Sequence, residues 1–124
     1  MKHVSQEKIE RINAANMLIK EIANRGRRFF RYKDSVAYIF SSPHGHLFLH
    51  NEWTHKDIYI SRYGKWNGFH HGGTLHGLMG NLVTFIKTGE RFKPWYFDAV
   101  HWGYFDDMEY VIKVGQEYGV IEIV

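Results

Sequence analysis

Hydrophobic residues change period twice along this chain, and that change constrains the fold more than any single motif does. From Ser5 to Arg25 the apolar positions Ile9, Ile12, Ala15, Ile19, Ile22 and Ala23 recur at spacings of three and four, the mark of one helix face. From Arg27 to Ile60 they alternate instead. Phe30 and Tyr32, then Val36, Tyr38 and Phe40, then Leu47 and Leu49, then Ile58 and Ile60 each fall on one side of a strand. From Thr74 the helical spacing returns. Period-two side chains cannot share a helix face, nor can those of period 3.6 share a strand face, so the order is helix, strands, helices.

Local signals bound these elements. Ser5 is placed to N-cap the first helix and Gly26 to end it, with Glu7, Lys8, Glu10 and Arg11 on the solvated face. Lys33-Asp34-Ser35, Ser42-Pro43-His44-Gly45 and a longer loop from Asn51 to Lys56 separate four strands, and links this short make hairpins. In the stretch from Lys65 to Gly89, Gly72 and Gly73 are free to take positive φ and deliver Thr74 as the N-cap of a helix that Gly89 stops. Leu75, Leu78, Met79, Leu82, Phe85 and Ile86 form its apolar stripe and mark it as the central helix, packed on the sheet. A connection carrying Trp95, Tyr96, Phe97, Trp102, Tyr104 and Phe105 holds too many rings for a solvated linker and is expected to pack across the domain. Asp106 with Glu109 opens a last helix that buries Met108, Val111, Ile112, Gly115 and Tyr118 and ends at Gly119; the tail from Val120 adds an edge strand or docks. The expected class is α+β: an N-terminal helix, a four-stranded antiparallel β-meander and two C-terminal helices packed on one face, in a single compact domain, 1–124.

The absence of cysteine excludes thiolate metal sites, cysteine nucleophiles and a disulfide scaffold. No apolar run approaches the roughly 20 residues of a membrane span, and the N-terminus lacks the apolar core of a signal peptide. A soluble, cytoplasmic protein without a membrane partner is expected. The net charge of +3 is mild, but five cations fall within nine residues: Arg25, Arg27, Arg28, Arg31 and Lys33. On a strand, Arg27 and Arg31 share a face with Phe29, so cations and a ring form one patch. Such a patch suits phosphate backbones and stacked bases, and equally the acidic, phosphate-mimicking surfaces of nucleic-acid enzymes. The plainer reading is a solvated edge strand protected by its charges. Trp95 and Trp102 join the patch as candidate binding anchors, since exposed rings serve contact.

Nine histidines are the most tempting chemistry. His70, His71, His76 and His101 could in principle hold zinc as neutral imidazoles. Their spacing speaks against it: no HExxH pair sets two ligands and a carboxylate base on one helix face, and adjacent histidines rarely reach one ion. No serine or threonine sits in a nucleophile elbow. No catalytic residue, metal or other cofactor is therefore expected. His71, Gly72, Gly73 and Thr74 form a weaker candidate, an anion site at a helix start. They fit neither the P-loop nor the dinucleotide fingerprint, and the glycines equally serve close approach of helix and sheet.

Arg27-Arg28-Phe29-Phe30, Trp66-Asn67-Gly68-Phe69, His71-Gly72-Gly73-Thr74-Leu75 and Trp102-Gly103-Tyr104 followed by Asp107-Met108, in that order and spacing, resemble a family of small uncharacterised proteins of bacteriophages, prophages and integrative elements. His70 and the His44, His46 pair lie outside that pattern. The family has no agreed activity, so the resemblance implies a setting rather than catalytic residues. Small proteins of this origin are often accessory factors that act on host machinery, counter-defence inhibitors among them. The expectation is thus an accessory protein acting by binding, most readily a counter-defence, anti-CRISPR-like inhibitor of a host nucleoprotein or nucleic-acid enzyme. Direct nucleic-acid binding is one alternative. A histidine-dependent hydrolase or phosphotransfer enzyme using His70, His71, His76 and His101 is the other; it requires those groups to converge within about 3 Å of one reacting atom or ion.

Overall fold

A computed structural model of the chain describes residues 5–24, 31–32, 35–51, 56–61, 73–97 and 105–123. The α+β class is as expected, with an N-terminal helix, antiparallel strands and two further helices. Helix α1 spans Gln6–Asn24; strands β1 to β5 span Arg31–Tyr32, Ser35–Val36, Tyr38–Ser41, Leu47–Asn51 and Lys56–Tyr59. Helix α2 spans Gly73–Thr88, a 3-10 turn Pro94–Phe97, and helix α3 Phe105–Glu117.

The strands divide into two ladders. β1 pairs with β2, and β3, β4 and β5 form a three-stranded sheet in that order, every pairing antiparallel. The segment expected as one strand over Val36 to Phe40 is interrupted at Ala37, which separates β2 from β3. Register then decides which face is buried. Ile39 lies opposite Leu49, and Leu49 opposite Ile58; with Ala37, Leu47 and Ile60 these turn into the core. Tyr38 and Phe40, expected to share one side of a strand with Val36, lie on the opposite, outer face. Ile39 buries as much aliphatic surface without desolvating a hydroxyl, so the aliphatic set wins the inner face.

Helix α1 begins as expected: the Lys8 amide donates to Ser5 Oγ at 3.1 Å, the N-cap bond. Ile12, Ala15, Leu18, Ile19, Ile22 and Ala23 are buried, and α3, α2 and β3 all pack on this helix. The central helix is thus α1, not α2; its broad stripe with two alanines lets neighbours approach on several sides. Ile9 is the exception on that stripe, 40% exposed. Two cations expected on the solvated face instead reach neighbouring carbonyls. Lys8 Nζ donates to Gly45 O at 2.8 Å and Arg11 Nε to Ile86 O, in the last turn of α2, also at 2.8 Å. A helix leaves its final carbonyls without intrahelical donors, so a cation there gains a hydrogen bond and a favourable dipole.

In α2, Leu78, Met79, Leu82, Phe85 and Ile86 are buried as expected, joined by Val83. Its start differs. Gly73 is the first helical residue and Thr74 the second, so Thr74 is not the N-cap and Gly73 has helical backbone rather than positive φ. Gly89 stops the helix at φ 81°, its amide donating to Phe85 O at 2.8 Å. Of the following aromatic segment, Phe92 is buried and Tyr96 meets its ring edge-on at 5.3 Å, while Trp95 is exposed, and Trp102, Tyr104 and the side chains of Phe97 and Phe105 lie outside the described residues. Phe92 also bridges in parallel to Ile121, with its amide donating to Val120 O and its carbonyl accepting from Glu122. The tail therefore docks. Helix α3 opens at Phe105, one residue before the expected cap Asp106, and buries Val111 and Gly115. Tyr118, expected in its buried stripe, is exposed, because the helix has ended at Glu117 and the chain turns through Gly119 at φ 77°. The side chains of Leu75 and Met108, and Gly26, lie outside the described residues.

Candidate functional site

The strand alternation that sends aliphatic residues inward sends rings outward. On β3 these are Tyr38 and Phe40; on and just before β4, His46, Phe48 and His50; on β5, Asp57 and Tyr59. Apart from Asp57, every one of them carries a ring, and none is aliphatic.

Register turns this set into a continuous surface. Tyr38 lies opposite His50, Phe40 opposite Phe48, and Phe48 opposite Tyr59. Tyr38 and His50 stack at 5.1 Å, Phe40 and Phe48 at 5.5 Å with planes 17° apart, and Tyr59 meets Phe48 edge-on at 5.6 Å. Cross-strand aromatic pairs of this kind stabilise a sheet by about 0.2–1 kcal/mol each. Tyr38 and Tyr59 nevertheless stay 44% and 42% exposed. Polar groups are set among the rings. His50 Nδ1 donates to Asp57 Oδ1 at 2.8 Å, and Tyr59 OH lies 3.4 Å from His46 Nδ1. Chemically, the face offers flat π surfaces with donors and acceptors between them.

Cations stand at both ends of the face. At the β3–β4 turn, Lys8 holds the Gly45 carbonyl. Burial, then the charges of Lys87 and Arg11, lower the Lys8 pKa below its ordinary value. At the other end β1 pairs Arg31 with Val36, two residues before Tyr38, so the C-terminal end of the basic segment adjoins the ladder. Beside Phe40, an open cleft of about 420 Å³ runs between α1 and β3, lined by Ile9, Ile12, Asn13, Asn16 and Pro43 among others, which accounts for the exposure of Ile9.

Of the binding residues expected from sequence, Arg25, Arg27, Arg28, Phe29, Lys33 and Trp102 lie outside the described residues, and Arg31 is described in its backbone alone. Trp95 is 61% exposed on the 3-10 turn, with Lys93 Nζ 6.0 Å from its ring centre and itself paired to Glu122 at 2.7 Å. His70, His71, Gly72 and His101 lie outside the described residues; Gly73, Thr74 and His76 are placed on the first turn of α2 by backbone alone. Among the described residues no group of three or more histidine, aspartate or glutamate side chains could hold a metal ion, and no helix is long and apolar enough to cross a membrane. Alternation puts Tyr38 and Phe40 on one side of a strand without choosing which side is buried, so the outward ladder does not follow from period alone. The signal that identifies it is the intervening aliphatic set, Ile39, Leu47, Leu49, Ile58 and Ile60, which claims the inner face.

The YoqU family model matches residues 5–124, which takes in every element described above. The chain is also 39% identical over 90 residues to the SPbeta prophage-derived uncharacterized protein YoqU of Bacillus subtilis (strain 168). That match covers 69% of this chain and 64% of the relative, so the chain aligns with somewhat under two thirds of the relative's length. No solved structure matches the chain. The prophage-associated family expected from the motifs is thus the one found, and the chain belongs to the YoqU family.

Proposed function

We propose that this protein is a phage or mobile-element accessory factor that acts by binding, with the outer face of the β3–β5 sheet as its contact surface. The observation that carries this reading is the composition of that face: every described outward position but Asp57 bears a ring, with Tyr38 and Tyr59 among the exposed large hydrophobics. Ring pairing stabilises the sheet, but a contiguous apolar face that keeps Tyr38 and Tyr59 exposed is also what a contact surface looks like. The basic segment Arg25, Arg27, Arg28, Phe29, Arg31 and Lys33, whose Arg31 pairs with Val36 near Tyr38, is taken as part of the binding surface for its charge and ring content, with Trp95 and Trp102 as further anchors. The target is a host nucleoprotein or nucleic-acid enzyme, and the role is counter-defence inhibition of the anti-CRISPR kind. The prophage origin of the Bacillus relative supports the setting, and cations beside rings support the class of target.

The test is affinity capture from host lysate, with bound proteins identified by mass spectrometry. Wild-type protein is expected to retain a nucleic-acid-handling complex, and a Tyr38→Ser, Tyr59→Ser variant of unchanged melting temperature to lose it. Retention of the same complex by that variant, or capture of nothing that handles nucleic acid, overturns the proposal.

A further inference from the structure

We infer that the outer face of the β3–β5 sheet binds unpaired nucleobases, so that the target is engaged through a single-stranded segment of its RNA or DNA. This deepens the proposed function and rests on it for the identity of the contact surface.

Shape favours a base over a protein side chain. The rings of Tyr38, His50, Phe40, Phe48 and Tyr59 follow one another across three strands at centroid separations of 5.1 to 6.0 Å. Paired face to face as Tyr38 with His50 and Phe40 with Phe48, they form a continuous aromatic surface rather than a pocket, and a flat base stacks on its exposed flanking rings, Tyr38 and Tyr59, as no aliphatic anchor does. Protein-binding anchors, by contrast, sit in well-packed concave sites. Antiparallel sheets that read single-stranded RNA use exposed rings in the same way, each stacking one base.

Hydrogen bonding points the same way. The hydroxyls of Tyr38 and Tyr59 both donate and accept, the imidazoles of His46 and His50 add ring nitrogens, and Asp57 accepts. Base edges present both donors and acceptors, and they are free for such contacts when the base is unpaired. A duplex hides its base faces in its own stack.

Charge supplies the third support. Phosphates that flank stacked bases need cations at the rim, and Lys8 reaches the β3–β4 turn while Arg31 is set by its backbone pairing with Val36, two residues before Tyr38, at the other end. Asp57 is the one carboxylate among the described outward residues, and its oxygen is engaged by His50. The rim charge and the ring platform therefore act on different parts of one ligand.

Fluorescence anisotropy with labelled oligo-uridine, oligo-deoxythymidine and a duplex of matched length tests this. Both single strands are expected to bind, the duplex more weakly, with affinity falling as salt rises. Stronger binding of oligo-uridine assigns the natural ligand to RNA through its 2′-hydroxyl; equal binding assigns recognition to stacking and phosphate alone. Phe48→Leu and Tyr59→Leu should each lose about tenfold in affinity, while Tyr59→Phe, which keeps the ring, should bind within about twofold of wild type. Tyr59 lies on an edge strand with its ring in solvent, so its variant reports binding even if Phe48→Leu melts early. Failure of folded wild-type protein to bind either single strand overturns the inference, as does binding that neither ring variant weakens. If the oligonucleotides fail while ring substitutions still abolish capture of the host complex, only the nucleobase reading falls. If they bind through the ladder while capture is insensitive to it, only the proposed function falls.

Discussion

Asn16 does at one position what a neighbouring strand would do along a whole edge. Its side-chain amide donates to Ile39 O at 2.8 Å and its carbonyl accepts from Ile39 N at 2.7 Å, so α1 satisfies the open edge of β3. An edge left with both groups unmet invites pairing with another chain. Asn16→Ala strands a part-buried donor and acceptor and should cost about 1–3 kcal/mol in urea or thermal unfolding. Lys8 gives a second test at this scale, read in pH. Its folded-state pKa is lowered, first by burial and then by Lys87 and Arg11, so the unfolded chain holds the proton more tightly. Stability contributed through this group must therefore rise as pH climbs from the lowered value toward the ordinary 10.5. Lys8→Gln should flatten that rise relative to wild type, measured as unfolding free energy against pH.

At the scale of elements, α2 contributes to the core through its middle and last turns. Leu82 is fully buried there, and Leu82→Ala should lower stability by about 2–5 kcal/mol in a denaturant melt, the range for truncating a core leucine. Helix α3 meets the C-terminal tail at a closer contact. A β-carbon added at Gly115 would lie 2.6 Å from Ile121 Cγ1 and 3.3 Å from its Cβ, with Ile121 itself buried. Alanine is the better helix former by about 1 kcal/mol, but forcing a methyl into that contact costs about 1–3 kcal/mol, so Gly115→Ala should destabilise on balance. Adding Ile121→Ala should remove most of that penalty in a double-mutant cycle, since the clash is with Ile121 alone among side chains within reach.

Over the whole molecule, one face of the sheet is committed to the core and the other carries the rings of the proposed contact surface. The division separates stability from binding. Reversing Arg28 and Arg31 to Glu should leave the melting temperature within about 2 °C of wild type, the result expected of charges that serve association rather than the core. The same reversal should weaken association with the proposed nucleic-acid-containing target at least tenfold, about 1.4 kcal/mol, by removing the phosphate contacts proposed for this segment. Association unchanged by the reversal, measured on the captured complex, would detach the basic segment from the binding surface.

Element order and class were legible in the bare sequence because hydrophobic period is a local property: the stripe of α1, its Ser5 cap, the stop at Gly89 and the strands around Ile39, Leu49 and Ile58 all follow from neighbours along the chain. The family was legible too, in short motifs spread over most of the length. What only tertiary structure decided was orientation and rank. Alternation assigns Tyr38 and Ile39 to opposite faces but does not say which face meets the helices; the pairing of Ile39 with Leu49 and Ile58 settles that, and it turns the rings outward. Likewise α1 and α2 carry comparable stripes, and only the packing of α2, α3 and β3 on α1 makes it central. The outer face, with Tyr38, Phe40, Phe48, His50 and Tyr59 brought side by side from three strands, exists only once register is set, because none of those residues is adjacent in sequence to its partner across the ladder.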